Sequence, residues 1–418
     1  MTTTGRPQLP PPRPRAPGAP SPLQGLRVID FSHFIAGPMC TLFLADMGAD
    51  VIKIENATNG DDFRRFRPHL GGEGVPFLWV NRNKKGIALD LTNEAAQKIA
   101  TELVASADIL VENFSRGVME RFGLGYDAMH KLNPRLIYCS VSAYGRDGAM
   151  ADRLGFDPVI QAETGFMSMN GFPDQPGVRT GPAIMDISTG MTAAIGVLGA
   201  LTARQSTGLG QRVETALFDT AALMLGFHAM NYLATGRNPA RAGNRSADST
   251  PTGTFQTADG PLYITCANDR TYRRLVTNVL ERPELAKDPR FVSNRDRMAH
   301  RDELTAIIEG ILAGDSSERW AAKMQAAGVP AGVVRTIEDA FSSFEMAERA
   351  LTSSIPHPTA GEIPNIGSPL RFSETPVLDP VAAPTLGQHT TEVLEHVLGY
   401  GPERIAELRT AGAFGSSS

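Results

Sequence analysis

Between Leu26 and Glu55 the chain reads as an apolar run, a helical stretch and a second apolar run, and this alternation restricts the possible folds sharply. Leu26–Phe31 (LRVIDF) suits a short buried strand, Pro38 opens a helical stretch to Met47, Gly48 stops it, and Ala49–Glu55 (ADVIKIE) suits a second strand. Two strands joined by one helix predict a βαβ unit with parallel strands. Further on, Thr92–Ala107 carries Ala95, Ile99, Leu103 and Val104 on one helical face. Asp108–Phe114 and, after Pro134, Arg135–Ala143 (RLIYCSVSA) read as third and fourth strands. Strands alternating with helices predict an α/β fold, a parallel sheet with helices on both faces.

Two more helices are expected, at Ser188–Arg204 and about Val213–Leu233. Between Ala234 and Pro251 the chain becomes polar and glycine-rich, a crossover to a second domain. There Gly253–Thr257 and Pro261–Thr265 flank Ala258-Asp259-Gly260, the pattern of a hairpin. Helices follow near Tyr272–Leu280, Arg301–Leu312 and Glu318–Ala327, then a Pro-rich return (Ile355–Pro384) and a last helix at Thr390–Leu398. Residues 1–22, rich in proline and without an apolar core, read as a disordered or extended tail and not as a secretory signal. The expected division is this tail, a large domain over 23–225, a small α+β domain over 226–345, and a segment over 346–418 that returns to the large domain.

A net charge of −5 argues against a nucleic-acid partner, which needs a basic surface. Three scattered cysteines (Cys40, Cys139, Cys266) have no metal spacing and suit a reducing, cytoplasmic setting. The longest apolar candidate, Met191–Leu201, is well short of the roughly 20 residues of a membrane span, so no membrane partner is expected. The first βα turn, Ser32-His33-Phe34-Ile35-Ala36-Gly37-Pro38, lacks the glycine fingerprints of nicotinamide or ATP sites, which counts against an oxidoreductase. A ligand at the carboxyl ends of the strands has to be held another way.

Several ordered segments together resemble CoA-transferase family III, which includes formyl-CoA transferase, carnitine CoA-transferase and the α-methylacyl-CoA racemases. They are Leu23–Phe31 followed by Ala36-Gly37-Pro38, Leu44–Glu55, Asn81-Arg82-Asn83-Lys84-Lys85, Val111-Glu112-Asn113-Phe114, Met185-Asp186-Ile187-Ser188-Thr189-Gly190, Gly210-Gln211-Arg212-Val213, Ala267-Asn268-Asp269, Gly328-Val329-Pro330 and Leu386–Thr390. The resemblance runs from residue 23 to about 414. It implies a Rossmann-like large domain with a parallel sheet built from both chain ends, a smaller domain, and two subunits interlocked as a homodimer. It also implies coenzyme A and acyl-CoA as substrates, with no permanently bound cofactor.

By the same resemblance Asp186 is the catalytic residue. Its place just before an expected helix also suits a plain N-cap, the alternative for any such aspartate. Matching to formyl-CoA transferase puts coenzyme A contacts at Ile35 and Ala36, at Leu89 to Thr92, at Asn113, Phe114 and Ser115, at Arg121, and at Leu154 to Asp157. Arg121 is the first choice of phosphate ligand, because a guanidinium pairs a phosphate bidentately; the alternative is a solvated arginine on a helix face. Lys84 and Lys85 are either charge near the nucleotide or ordinary surface lysines. Departures from the formyl-CoA transferase pattern point away from formyl-CoA:oxalate chemistry: Asn56 and Ile35 replace an arginine and a glutamine, and Arg241-Ala242-Gly243-Asn244 stands nearest to its glycine run.

Racemases carry a histidine before an aspartate, where this chain has Gly155-Phe156-Asp157; phenylalanine exchanges no proton, and Asp157 reads as either a structural residue or a ligand-side contact. Val178–Asp186 looks most like succinyl-CoA:dicarboxylate CoA-transferases. The expectation is transfer of coenzyme A to a dicarboxylate through an aspartyl anhydride and thioester. Arg64, Arg65, Arg67, Arg153 and Arg179 are equal candidates for the distal carboxylate. An acyl-CoA racemase of the same fold and a non-catalytic coenzyme A binder are the alternatives.

Overall fold

The computed structural model describes residues 7–415. Six parallel strands make the main sheet: β1 (Arg27–Asp30), β2 (Asp50–Asn56), β3 (Lys84–Leu89), β4 (Ile109–Glu112), β5 (Ile137–Ser142) and β6 (Arg212–Ala216). Their order is β3-β2-β1-β4-β5-β6. This is the doubly wound order, whose direction of winding reverses between β1 and β4 and leaves a crevice there. Helix α1 (Ala36–Asp46) joins β1 to β2, and α2 (Glu94–Ala105) joins β3 to β4.

Apolar runs became strands because both faces of the sheet are covered: Val28, Ile29, Ile52, Ile109, Leu110 and Val111 are essentially inaccessible to solvent. The expected strands appear with ends shifted by one or two residues. Two elements differ in kind. Lys84–Leu89 is a strand disguised by the charged run that overlaps its start. Arg212–Ala216, expected inside a helix, is the edge strand β6, and helices Leu217–Met224 and Phe227–Thr235 follow it. Thr215 is β-branched and pairs with Val141 on β5, so tertiary pairing outweighed the helical pattern.

All six strands lie between Arg27 and Ala216, which corrects the expectation of a sheet built from both chain ends. The returning segment instead lines the edge strand β3. His389 donates its backbone N–H to Gly86 O at 2.9 Å and accepts the Gly86 N–H on Nδ1 at 3.1 Å, and Thr390 Oγ1 accepts from Ala88 N at 3.2 Å. Gly86 is required there, since a Cβ would sit 2.8 Å from Pro384 Cγ. Val393, Leu394, Ile405 and Leu408 complete the core over α2. Residues 7–22, expected as a tail, are extended and held: Pro10 O accepts from Ser354 N at 2.8 Å, and Arg15 N donates to Asp379 Oδ1 at 2.9 Å. The expectation for residues 1–6 lies outside the described residues.

The described residues divide into two compact units. One comprises the chain up to Thr164, Thr180–Gly226 and the part from Phe344 onward; the other comprises Gly165–Arg179 and Phe227–Ser343. The second is α+β, with an antiparallel sheet of Thr252–Gln256, Pro261–Thr265 and Ala331–Val333 packed on helices that include Arg301–Leu312 and Ser317–Ala326. Gly165–Arg179, expected within the large domain, belongs to this unit, where Arg241 donates to the carbonyls of Ser168, Phe172 and Pro173.

Candidate active site

The loops that leave β1 and β4 flank the crevice, and one side chain ties them together. Asn113 accepts the His33 N–H at 2.8 Å and donates back to His33 O at 2.9 Å. Beneath this loop lies a buried set of charges. Asp30 accepts from Ser32, from Thr41 at 2.6 Å and from Lys84 at 3.1 Å; Lys53 donates to Ser32 O at 2.5 Å and pairs with Asp61 Oδ2 at 3.1 Å. Asp61 in turn accepts the Phe34 N–H at 3.2 Å. Three successive loop residues are thus pinned, and Phe34 is held at φ 62°, a strained value for a bulky side chain. Burial would raise the Asp30 carboxyl, but Lys84 and Lys53 outweigh it and hold the group far below the usual carboxylate range. Burial brings Lys84 down to about 8.

Asp186 rises from the first turn of α4 (Ile184–Thr207). The expectation put it before the helix; it lies inside, and Ala183 at the N-cap makes no side-chain cap. The cap comes from α3 (Asp157–Glu163): Asp157 Oδ2 accepts from Met185 N at 2.6 Å and Asp186 N at 3.3 Å. Helix α4 packs on α1 at Gly190, where a Cβ would come within 2.5 Å of Ala36 O. Gly190 lies one turn after Asp186, so this close approach sets the Asp186 turn beside the β1 loop; Ile187 joins the apolar cluster that Phe34 and Ile35 border. The Asp186 carboxyl is half-buried and pushed up to about 7, first by burial and then by the neighbouring Asp157.

The residues expected to contact coenzyme A fall into three groups. Ile35 and Ala36 start α1 at the crevice. Asn113, Phe114, Ser115 and Leu154 line one cavity of about 300 Å³ beyond the ends of β4 and β5, with Tyr144 and Arg153. The others are elsewhere or turned inward. Leu89 is fully buried at the end of β3, which leaves it backbone contacts only, and Thr92 is exposed but bonds Asp90. Arg121 is exposed, with no ion pair among the described residues. Asp157 is buried, and hydrogen bonds within the chain engage both its oxygens, one from Gln161 and the other from the start of α4.

Sequence reasoning missed Arg116, which lines both that cavity and a neighbouring one of about 390 Å³ that also includes Arg146 and Arg212. It also missed the burial of Lys84: a lysine in a polar run looks like surface until its carboxylate partner is known. Among the arginine candidates, Arg64 is locked by Glu55 at 2.6 Å and Glu73 at 2.7 Å, Arg65 pairs with Asp62, and Arg153 pairs with Glu163. Asn56 closes its own turn, accepting from Thr58 N and Asn59 N. Phe156 is exposed and meets Phe34 edge-on, with ring centroids 5.8 Å apart.

A doubly wound sheet with a crevice at its switch point and a half-buried carboxylate beside it places the molecule in the α/β class. Residues 23–390 match CoA-transferase family III, and the chain belongs to that family. It is 39% identical over 353 residues to the acetyl-CoA:oxalate CoA-transferase of Acetobacter aceti, covering 84% of this chain and 89% of that protein. It is 36% identical to the succinate–glutarate CoA-transferase of Agrobacterium fabrum, covering 90% of this chain and 96% of the relative. A crystal structure of a CAIB/BAIF family protein from Brucella suis superposes with a TM-score of 0.81 at 36% identity, over 90% of this chain and 98% of that one. The protein is a CoA-transferase, acting on CoA thioesters.

Proposed function

We propose that this enzyme moves coenzyme A from an acyl-CoA donor, with succinyl-CoA a usable one, to a dicarboxylate, and that Asp186 carries the group. The observation that carries the reading is the Asp186 carboxyl itself: reachable, half-buried, and more basic than an ordinary aspartate. Relatives named for oxalate and for glutarate support a dicarboxylate acceptor.

An Asp186 oxygen attacks the donor carbonyl, the C–S bond breaks, and the thiolate leaves with the electron pair. The thiolate then attacks the aspartyl carbonyl of the mixed anhydride and expels the donor acid. The acceptor carboxylate attacks the resulting aspartyl thioester and displaces the thiolate, which takes the acceptor acyl group and frees Asp186. Each thioester is replaced by another, so no nucleotide is consumed. Covalent catalysis divides one hard exchange into easier ones.

Homodimerisation is part of the same reading. By length and composition α4 is the one helix among the described residues apolar enough to cross a membrane, although no run of that length was expected. It packs on α1, β5 and β6, yet Met191 and Ile195 stay exposed, as does Leu223 on the next helix. A second copy of the chain covering this face accounts for them. The three buried free thiols support a reducing, cytoplasmic setting.

The test is a donor and acceptor screen run with Asp186→Ala. Transfer to dicarboxylates is expected, with the variant folded, dimeric and slower by about 10³-fold or more. Transfer confined to monocarboxylates overturns the acceptor class, and full activity in the variant overturns the mechanism.

A further inference from the structure

We propose that Asp157 and Gln161 are positioning residues for the nucleophile, capping the first turn of α4 from a neighbouring helix and keeping a second negative charge beside Asp186. The inference rests on Asp186 being the group that carries the acyl chain and coenzyme A. Asp157 is 3% exposed and Gln161 is fully buried. Gln161 donates to Asp157 Oδ1 at 2.5 Å, one turn along α3, and its own carbonyl oxygen accepts the Thr180 N–H at 2.9 Å. That bond fixes the chain just before Asp186. The other carboxylate oxygen takes the N–H groups of Met185 and Asp186.

This arrangement inverts the usual effect of a helix start. Free N–H groups at an N-terminus stabilise an anion and make a carboxylate weakly basic. Here two of those donors are already spent on Asp157, which returns a full negative charge to the same place.

Of the other charges on the elements packed against α4, all but the exposed Asp219 are paired, and on α3 Glu163 is bound to Arg153. On α1 the charged residue is Asp46 at the far end, bound to Arg82. On β1, Asp30 is bound to Lys84, and on β6, Arg212 pairs with Glu214. β5 carries no charged side chain, and Asp219 on the following helix is exposed. His33 in the β1 loop faces Asp61. On α4 itself, Arg204 sits at the other end on Asp108.

Asp157 therefore has two effects on the chemistry. It keeps Asp186 basic and so a better nucleophile towards a carbonyl carbon. It also favours the covalent states, because turning Asp186 into an anhydride or thioester removes its charge and relieves the repulsion.

The experiment measures kcat, KM and the pH dependence of kcat/KM, with succinyl-CoA as donor and glutarate and oxalate as acceptors, in four proteins: the parent, Asp157→Asn, Gln161→Met and Asp186→Ala. In Asp157→Asn, which keeps an acceptor oxygen but no charge, the acidic limb should move down by about one pH unit and kcat should fall about tenfold or more. The donor KM should stay within about twofold. Gln161→Met keeps the charge and loosens its hold, so kcat should fall with the limb in place. A raised donor KM with an unmoved limb in Asp157→Asn would make Asp157 a coenzyme A contact and overturn the proposal. Should Asp157→Asn not fold, Gln161→Met decides: kcat lost at constant KM supports the proposal, and unchanged kcat overturns it. Activity surviving in Asp186→Ala sinks the underlying mechanism instead. An inactive Asp186→Ala beside an unaltered Asp157→Asn sinks only the positioning role.

Discussion

Beneath the β1 loop, Asp30 faces Lys84, Asp61 faces Lys53, and Glu55 faces Arg64. At the first turn of α4, less deeply buried, Asp186 faces Asp157, a group of its own sign. Burying charge costs free energy in both places, and pairing offsets the cost in the first but not in the second. The paired region holds a strained loop in position. The unpaired one leaves a carboxylate whose charged form is disfavoured, as the covalent role proposed for it requires. Where a protein leaves a buried charge uncompensated, chemistry is the usual reason.

The largest effect is expected from removing a cation from the paired region. Lys53→Met leaves Asp61 buried without its ammonium and Ser32 O without its donor; stability should fall by about 3–5 kcal/mol, read as a lower midpoint in urea unfolding. A variant as stable as the parent would mean that the pairs do not support the loop. The paired carboxylates also set an acid limit. Lysine neighbours lower the pKa of both Asp30 and Asp61, so their contribution is present above the unfolded value of 3.8 and is lost as pH falls through the folded ones.

A smaller effect is expected from Gly190→Ala, which leaves every charge in place. The new methyl would lie 2.5 Å from Ala36 O and 2.7 Å from Met39 Cβ, so α4 must shift. Overpacking of this kind costs about 1–3 kcal/mol, and displacing the Asp186 turn should slow transfer about tenfold. Thermal melts and initial rates check both, and a normal rate in a destabilised variant would separate packing from positioning.

The smallest effect has the opposite sign. Asp186 is raised from 3.8 to about 7, so the unfolded chain gives up this proton first as pH rises. The group therefore costs no stability below about pH 4, and its full penalty is in place above about pH 7. Asp186→Asn should melt higher than the parent at pH 8, by the equivalent of about 1 kcal/mol after discounting for partial exposure, and alike at pH 4. A variant less stable at pH 8 would show that the carboxylate is stabilised in the fold.

The split between these regions was only partly legible in the sequence. Strands buried on both faces announced themselves as Leu26–Phe31 and Ala49–Glu55, and Asp186 stood out within its motif. β3 did not, because its first two residues are lysines and the strand's identity rests on pairing with β2. The paired charges were hidden for a related reason: Asp30, Lys53, Asp61 and Lys84 are far apart in the chain and meet only once the sheet is formed. Asp157 was visible as a residue but not in its role, since what caps a helix 28 residues later is a matter of tertiary packing.

In the proposed mechanism the Asp186 carboxylate takes an acyl group and then coenzyme A onto itself. Incubating the enzyme with succinyl-CoA, quenching with hydroxylamine and mapping peptides by mass spectrometry tests it directly. A hydroxamate at Asp186, absent from Asp186→Ala and from samples without donor, is the predicted result. An unmodified Asp186 peptide from a preparation that turns over would contradict it.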